Sequence, residues 1–368
     1  MHISTITVII GLSCLATSKS VPKATLQILD PIQLPTSTIA SLGYNNTFLE
    51  NLAARQNGDL LVTMLEDNST LYYVESPGSG HTALTPIHHF SAASGLLGIT
   101  ETSEDTFLIA MHDFEKLITP IPGTGAIWEV RFTRKNSKEI KVRKVTDLPN
   151  AGMMNGITSV PARGSSGSGE QEEVAILVAD SYNGQLIRVD SVTGYSEVVL
   201  DVPELHARPN ATFPIGVNGV KIYNGHVYWS NFERSTMNRI AIDRNGYPLG
   251  SGTVSTIATI PEIQGIDDFV FDQAGNIWGM GDLDNNAFIL FRGTDPHNEY
   301  SIYQSIAGGI GSLLLPGCTA STWGRGKNDK HILYVTTNGG MVSPVNGTIV
   351  EPAKVAAIDT SQFANHGV

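Results

Sequence analysis

Cysteine is nearly missing. The 368 residues hold two, Cys14 and Cys318. Cys14 falls inside an N-terminal leader, so the mature chain is expected to keep Cys318 alone. That excludes an intramolecular disulfide and any cysteine-based metal site. Cys318 reads as a buried structural thiol. Basic residues are also short, with 23 Lys and Arg against 35 Asp and Glu, a net charge of −12. With no basic tract to neutralise phosphates, a nucleic-acid partner is excluded. The usual catalytic signatures are absent too. There is no G-x-S-x-G elbow, no H-E-x-x-H, no Walker loop and no G-x-G-x-x-G after a strand. Beyond the leader no apolar run is long enough to span a bilayer, so no stable membrane insertion is expected.

Residues 3–16, ISTITVIIGLSCLA, form a short apolar run followed by Thr17, Ser18, Lys19 and Ser20. This predicts a signal peptide over residues 1–20 and a product that is secreted or enters the endomembrane lumen. N-glycosylation sequons fit that route and stand at Asn45, Asn68, Asn210 and Asn346.

The remaining chain repeats itself. Each unit runs from a polar or small residue into an apolar strand, turns at a polar residue and Gly, and continues as further strands. The clearest copy is NGVKIYNGHVYWSNFERSTMNRIAID from Asn218, and DDFVFDQAGNIWGMGDLDNNAFILF from Asp267 stands beside it. Unit starts fall at Glu50, Gly98, Asn155, Asn218, Asp267 and Cys318, spaced 48 to 63 residues apart. Six such units fill residues 21–368 and predict one all-β domain. The expected fold is a six-bladed β-propeller with four-stranded antiparallel blades. Asn57-Gly58, Asn183-Gly184 and Asn224-Gly225 are hairpin signals. Residues 24–34 are candidates for the outer strand that closes the ring. The Gly, Ser and acidic stretch at 162–173 reads as a loop within the third blade.

In a propeller the starts of the inner strands converge on one end of the central channel. Glu50, Asn155, Asn218 and Asp267 would then place two carboxylates and two amide oxygens on one ring. That set suits a hard divalent cation, Ca²⁺ first and Mg²⁺ second. The same residues equally well satisfy backbone groups in turns. Asp282, Asp284 and Asn286 look like the start of a calcium loop. Ala287 stands where that loop needs Gly, so they read as a polar hairpin turn. His112 and His226 lie in or beside strands and read as structural.

These positions resemble the regucalcin, gluconolactonase and strictosidine-synthase-like propellers. The N-G starts at Asn155 and Asn218 match that family, as does the phrase carrying Asp267, Asp272, Gly275 and Trp278. The resemblance implies one divalent cation held by Glu50, Asn155, Asn218 and Asp267, with Asp267 as general base. Two departures stand out: Asp268 replaces a Gly, and Asn51-Leu52 replaces a Gly-Pro. The stretch ENLAARQNGDLLVT at 50–63 is similar to secreted fungal members of this superfamily. Some of those are hetero-Diels–Alderases that join a tropolone- or phenol-derived quinone methide to a humulene-type sesquiterpene.

Three functions follow. The first is a cyclase of that type, acting on small apolar substrates without an organic cofactor. Met153, Met154, Phe213, Phe269 and Trp323 are its candidate pocket walls. The second is a divalent-metal-dependent lactonase or esterase using Asp267 as base. The third is a non-enzymatic propeller that binds a partner on one face.

Overall fold

The structure is a computed structural model that describes residues 26–66, 68–79, 82–161, 175–250, 253–295 and 299–364. The expected leader and the whole of the Gly/Ser stretch at 162–173 fall outside these residues. Six antiparallel four-stranded sheets are arranged as a propeller. Their inner strands are Phe48–Ala54, Gly95–Ser103, Met154–Ser159, Val217–Tyr223, Ile266–Phe271 and Cys318–Trp323. They pack side by side in that order, and the sixth returns to the first. Blades are numbered 1 to 6 by these strands. The face on which the inner strands begin is called the upper face.

Ring closure differs from the expectation. The outer strand of blade 6 is Thr36–Ser41, which pairs antiparallel with Lys354–Asp359. Among the described residues 26–34 only Gln27–Ile28 is extended in a sheet, and it pairs in parallel with the outer strand of blade 5. Pro31 and Pro35 bracket the segment between them. Proline lacks the N–H that a ladder needs, so the closing strand starts after the second one.

Strand alternation builds the core. In blade 4, Val227 and Trp229 face blade 3, while Tyr228 between them faces blade 5. In blade 3, Ile176 and Val178 face blade 2, and Leu177 and Ala179 face blade 4. A period of two therefore fills a seam on each side of every blade. Six apolar clusters result, one per seam. A smaller seventh cluster of Met153, Ile215 and Phe232 sits at the upper face. Asn224 and Gly225 turn a hairpin with φ of 45° and 73°, the left-handed pair that a two-residue turn of this hand requires.

Two loops depart from the short hairpins. Residues 113–125 of blade 2 carry a small hairpin, Phe114–Lys116 with Thr119–Pro120. Residues 338–353 of blade 6 form a long loop with an isolated bridge between Val345 and Ile349. Both stand on the upper face. The sequon residues Asn45, Asn68, Asn210 and Asn346 are all exposed in loops of that same face.

Candidate functional site

Every inner strand carries a bulge at the same place. In blade 3, Met154 faces Asp180 and Ile157 faces Val178, so Asn155 and Gly156 together oppose one residue. The same step falls at Asn218-Gly219, Asp267-Asp268, Leu97-Gly98 and Thr319-Ala320. In blade 1 the extra residue is Glu50. A bulge re-aims the side chain it carries. Here it brings Glu50, Leu97, Asn155, Asn218 and Asp267 to one cavity at the upper end of the channel. The register corrects two unit starts: the ring position is Leu97 rather than Gly98, and Thr319 rather than Cys318. Thr319 turns its hydroxyl to the Leu49 carbonyl at 2.8 Å.

The glycine after the ring residue has its own cause. A Cβ on Gly98 would lie 2.4 Å from the Asn155 carbonyl oxygen, and one on Gly156 2.6 Å from that of Asn218. The N-G spelling thus records inner strands nested against each other. Asp268 stands where blade 5 would have the next glycine. Its carboxylate accepts from Asn51 Nδ2 at 3.0 Å and from Lys221 Nζ at 2.7 Å, on the lower side of the ring.

Above the ring, Asp282 joins the site from the turn that follows Ile277–Gly281 and lines the same cavity. Asn338 Nδ2 donates to its Oδ1 at 2.7 Å. Glu50, Asp267 and Asp282 are all buried, and among the described residues no Lys or Arg lines their cavity. Burial pushes the Glu50 carboxyl up to about 8, with the charges of Asp282 and Asp268 adding to it. Burial likewise raises Asp282 to about 7 and Asp267 well above the usual carboxylate range, where the Glu50 charge adds to the effect.

Asn218 hydrogen-bonds to Asp267, and its buried Oδ1 has no protein partner. An orphaned amide oxygen beside two carboxylates is chemistry that fits a hard cation. Among the described residues no three His, Cys, Asp or Glu side chains converge closely enough to hold an ion by themselves. An ion here would depend on the amide oxygens of Asn155 and Asn218 together with Glu50 and Asp267.

Apolar side chains wall the cavity: Phe48, Leu65, Met153, Ile215, Phe232 and Val342, with Leu97 at the ring. Ile118, at the tip of the blade 2 hairpin, reaches in from above. Its φ is 55°, a costly value for a β-branched residue. The Tyr182 hydroxyl donates to its carbonyl. The enclosed volume is small, about 30 Å³, room for one or two waters.

Of the apolar candidates named from sequence, Met153 lines this cavity. Phe213 sits half-buried beside it, edge-on to Phe232 at 6.2 Å. The other three lie elsewhere. Met154 is in the seam beside blade 2 and Phe269 in the seam between blades 4 and 5. Trp323 stacks edge-on to Trp278 and donates to the Phe271 carbonyl at 2.9 Å, toward the lower face. The bulge breaks the alternation on both sides of the ring position, so Met154 before it and Phe269 after it turn into seams. Ile118, Ile215 and Val342 come from loops and insertions that the repeat does not contain, and Phe232 and Asp282 from the turn just after the second strand of their blades. The one signal was a polar residue at or just past the end of the second strand, as at Asp180, Asn231, Asp282 and Asn338. Asp180 spends its carboxylate on the N–H groups of Gly152, Met153 and Asn183. Asp282 turns toward the channel instead.

No protein-family model matches the chain. A protein of Sarocladium schorii named "Putative hetero-Diels-Alderase asR5" is 26% identical over 342 residues, covering 87% of this chain and 82% of that protein. A "Putative hetero-Diels-Alderase" of Phoma sp is 27% identical over 315 residues, covering 80% and 84%. Among solved structures, the calcium-binding protein regucalcin from Agrobacterium tumefaciens aligns with a TM-score of 0.55 at 13% identity, over 90% of this chain and 96% of its own. A luciferin-regenerating enzyme aligns with a TM-score of 0.55 at 11% identity, over 88% and 95%. The chain is a six-bladed β-propeller with a regucalcin-like fold, similar in sequence over four-fifths or more of its length to proteins named as hetero-Diels–Alderases.

Proposed function

We propose that the chain is a cyclase of the hetero-Diels–Alder type. Its substrates would be a tropolone- or phenol-derived quinone methide and a humulene-type sesquiterpene. The observation that carries this reading is the upper cavity, where apolar walls close over a floor of buried oxygen acids. The names of the similar proteins point the same way. A cycloaddition needs no nucleophile. It needs two partners held in register and water excluded, and orientation of that kind is worth roughly 7–11 kcal/mol at best.

The walls hold the hydrocarbon partner. The floor addresses the carbonyl oxygen of the quinone methide. A carboxyl kept neutral by burial can donate a hydrogen bond to that oxygen, drawing electron density from the heterodiene as charge develops. Burial raises Glu50, Asp267 and Asp282 toward that neutral form. A divalent cation bound by Glu50, Asn155, Asn218 and Asp267 would supply the same polarisation as a Lewis acid. The closed cavity is far smaller than two such partners, so the hairpin carrying Ile118 must lift for them to enter. Its strained tip and single-strand-pair anchoring make it the movable part of the roof.

The oxygen ring also supports a second reading, a metal-dependent lactonase with Asp267 as base. The apolar walls above the ring favour the first. Incubating the purified chain with a quinone methide generated in solution and humulene separates them. One adduct in large enantiomeric excess supports the cyclase. Racemic adduct at the background rate, with hydrolysis of aldonolactones, would replace it with the second reading.

A further inference from the structure

The chain is acidic, and its composition led to the expectation of no basic tract. Residues 131–144 depart from that expectation. They hold seven of the chain's 23 Lys and Arg, and Glu139 is the one acid among them.

The stretch folds as the outer hairpin of blade 2, Ala126–Phe132 with Ile140–Asp147. In its ladder Arg131 stands opposite Lys141, and Glu129 opposite Arg143. These four share one side of the sheet. Ile127, on the same side of its strand as Glu129 and Arg131, packs in the cluster between blades 2 and 3. Arg143 donates to the Ser191 carbonyl of blade 3 at 3.0 Å. The four therefore face the cleft between the outer parts of blades 2 and 3. Glu129 lies 2.6 Å from the Arg143 guanidinium and 3.5 Å from that of Arg131. Among the described residues Lys141 has no ion-pair partner. Like charges directly opposite on a ladder repel, yet this face sets Arg131 against Lys141, with one carboxylate for three cations.

Charged side chains on an edge strand also guard it against pairing with another chain. That does not account for this blade. The outer strands of the other five carry no Lys or Arg, and Arg131 is not on the edge at all. Across the cleft, blade 3 offers apolar contact. Val198 pairs with Ile187, a member of the same cluster, so it faces the cleft, and it is 50% exposed. Val192, next to Ser191, is 47% exposed. Asp190, at the base of that turn, spends its carboxylate on the N–H groups of Val192 and Thr193.

We propose that this strip, a row of cations beside exposed valines, docks an acidic peptide segment of a partner protein, with Asp or Glu side chains set among aliphatic ones. Charge complementarity and the valines favour that occupant. A nucleic acid has a continuous phosphate chain and no aliphatic groups for Val192 and Val198. A long polyanion would also meet the acidic remainder of the surface. A short segment held within about 8–10 Å of the cations is largely screened from that remainder at physiological salt. A second copy of blade 2 would bring the same cations and be repelled. Arg131 and Lys141 stand toward the lower end of blade 2, away from the sequon asparagines of the upper face, and none of these residues lines the upper cavity.

The test is fluorescence anisotropy of a labelled octapeptide of alternating Glu and Val with the full chain. Its Gln and Val counterpart and an oligothymidylate of equal length serve as comparisons. Saturable binding of the Glu peptide is expected, weakened by added salt, with the Gln peptide about tenfold weaker or more. Lys141→Ala should weaken binding roughly two- to fivefold, Lys141→Glu roughly tenfold and Val198→Ser roughly threefold. Lys141 is exposed, so its variants should fold. Lys330→Glu, the same charge change on an exposed residue of blade 6, should leave binding unchanged. The inference is overturned if the Glu peptide does not saturate the chain, if the Gln peptide binds as tightly, or if oligothymidylate binds more tightly. It is overturned if Lys330→Glu costs as much as Lys141→Glu, or if the chain self-associates and Lys141→Glu abolishes that instead. It is overturned too if changing Glu170, Glu172 and Glu173 to Gln raises the affinity about tenfold; the strip would then belong to that stretch of the same chain, which lies outside the described residues.

Discussion

His112 gives the sharpest test of how the upper face is held together. The ring is fully buried at the end of strand Thr106–His112. Nδ1 lies 3.5 Å from the Thr124 hydroxyl, and Nε2 has no partner. Burial pushes its pKa down from 6.5 to about 4, against the opposing pull of Asp180 and Asp113. Between those two values the unfolded chain binds a proton that the folded chain refuses. Stability should therefore fall as pH drops through that window. From pH 8 to pH 5 the linkage amounts to about 2 kcal/mol. Glu50 and Asp282 act in the opposite sense. Their raised pKa values mean that the folded chain holds the extra protons, so their contribution is lost as pH rises toward about 7 to 8. A single pH profile would mix the two. A difference does not. His112→Leu removes the titration and an unsatisfied nitrogen together, so at pH 8 it should lie within about 1 kcal/mol of the parent. At pH 5 it should be more stable than the parent by about 2 kcal/mol beyond that offset. Urea unfolding at both pH values, with equal m-values, reads this directly. The same offset at pH 5 and pH 8 would refute a neutral, unpartnered His112.

Gly156→Ala should cost about 1–3 kcal/mol or prevent folding, because the new methyl meets the blade 4 backbone; unfolding at pH 7 reads it, and a neutral result would contradict the nested ring. Asp268→Asn leaves the Lys221 ammonium short of its anion and should lose about 2 kcal/mol at neutral pH; Asp268→Asn with Lys221→Met should recover part of it. Tyr182→Phe frees the Ile118 carbonyl and should raise the rate of substrate entry in stopped-flow binding while lowering product selectivity; unchanged kinetics would remove the hairpin from any gating role. Calcium should raise the melting temperature of the parent and leave that of a Glu50→Gln/Asp267→Asn double variant unmoved; equal shifts in both would place the ion elsewhere.

The inner strands of blades 3 and 4 were the most legible because each announces itself twice. A polar residue opens the strand, and Gly follows wherever the next blade's backbone comes within contact distance, as at Asn155-Gly156 and Asn218-Gly219. The exact ring position was less legible. A bulge lets two residues oppose one, so Leu97 and Thr319 stand one place from the residues that open their units. The closing strand Thr36–Ser41 was hidden by its own sequence, TSTIAS, which lacks apolar alternation because only Ala40 of its six residues is buried. The cavity walls were the least legible part. Ile118, Ile215 and Val342 come from loops that differ from blade to blade, and no repeat can place them. Asp282 looks like an ordinary turn residue. Its inward orientation depends on Asn338, 56 residues away.

The central claim is that the oxygen floor drives the reaction while the apolar walls choose its geometry. It is tested by measuring rate and enantiomeric excess together, for floor and wall variants, with quinone methide and humulene as substrates. Asp267→Asn and Glu50→Gln should lower kcat and keep the enantiomeric excess. Phe232→Ala and Met153→Ala should keep most of kcat and lose the excess. Floor variants that leave kcat unchanged, or wall variants that leave the product a single enantiomer, would contradict the account.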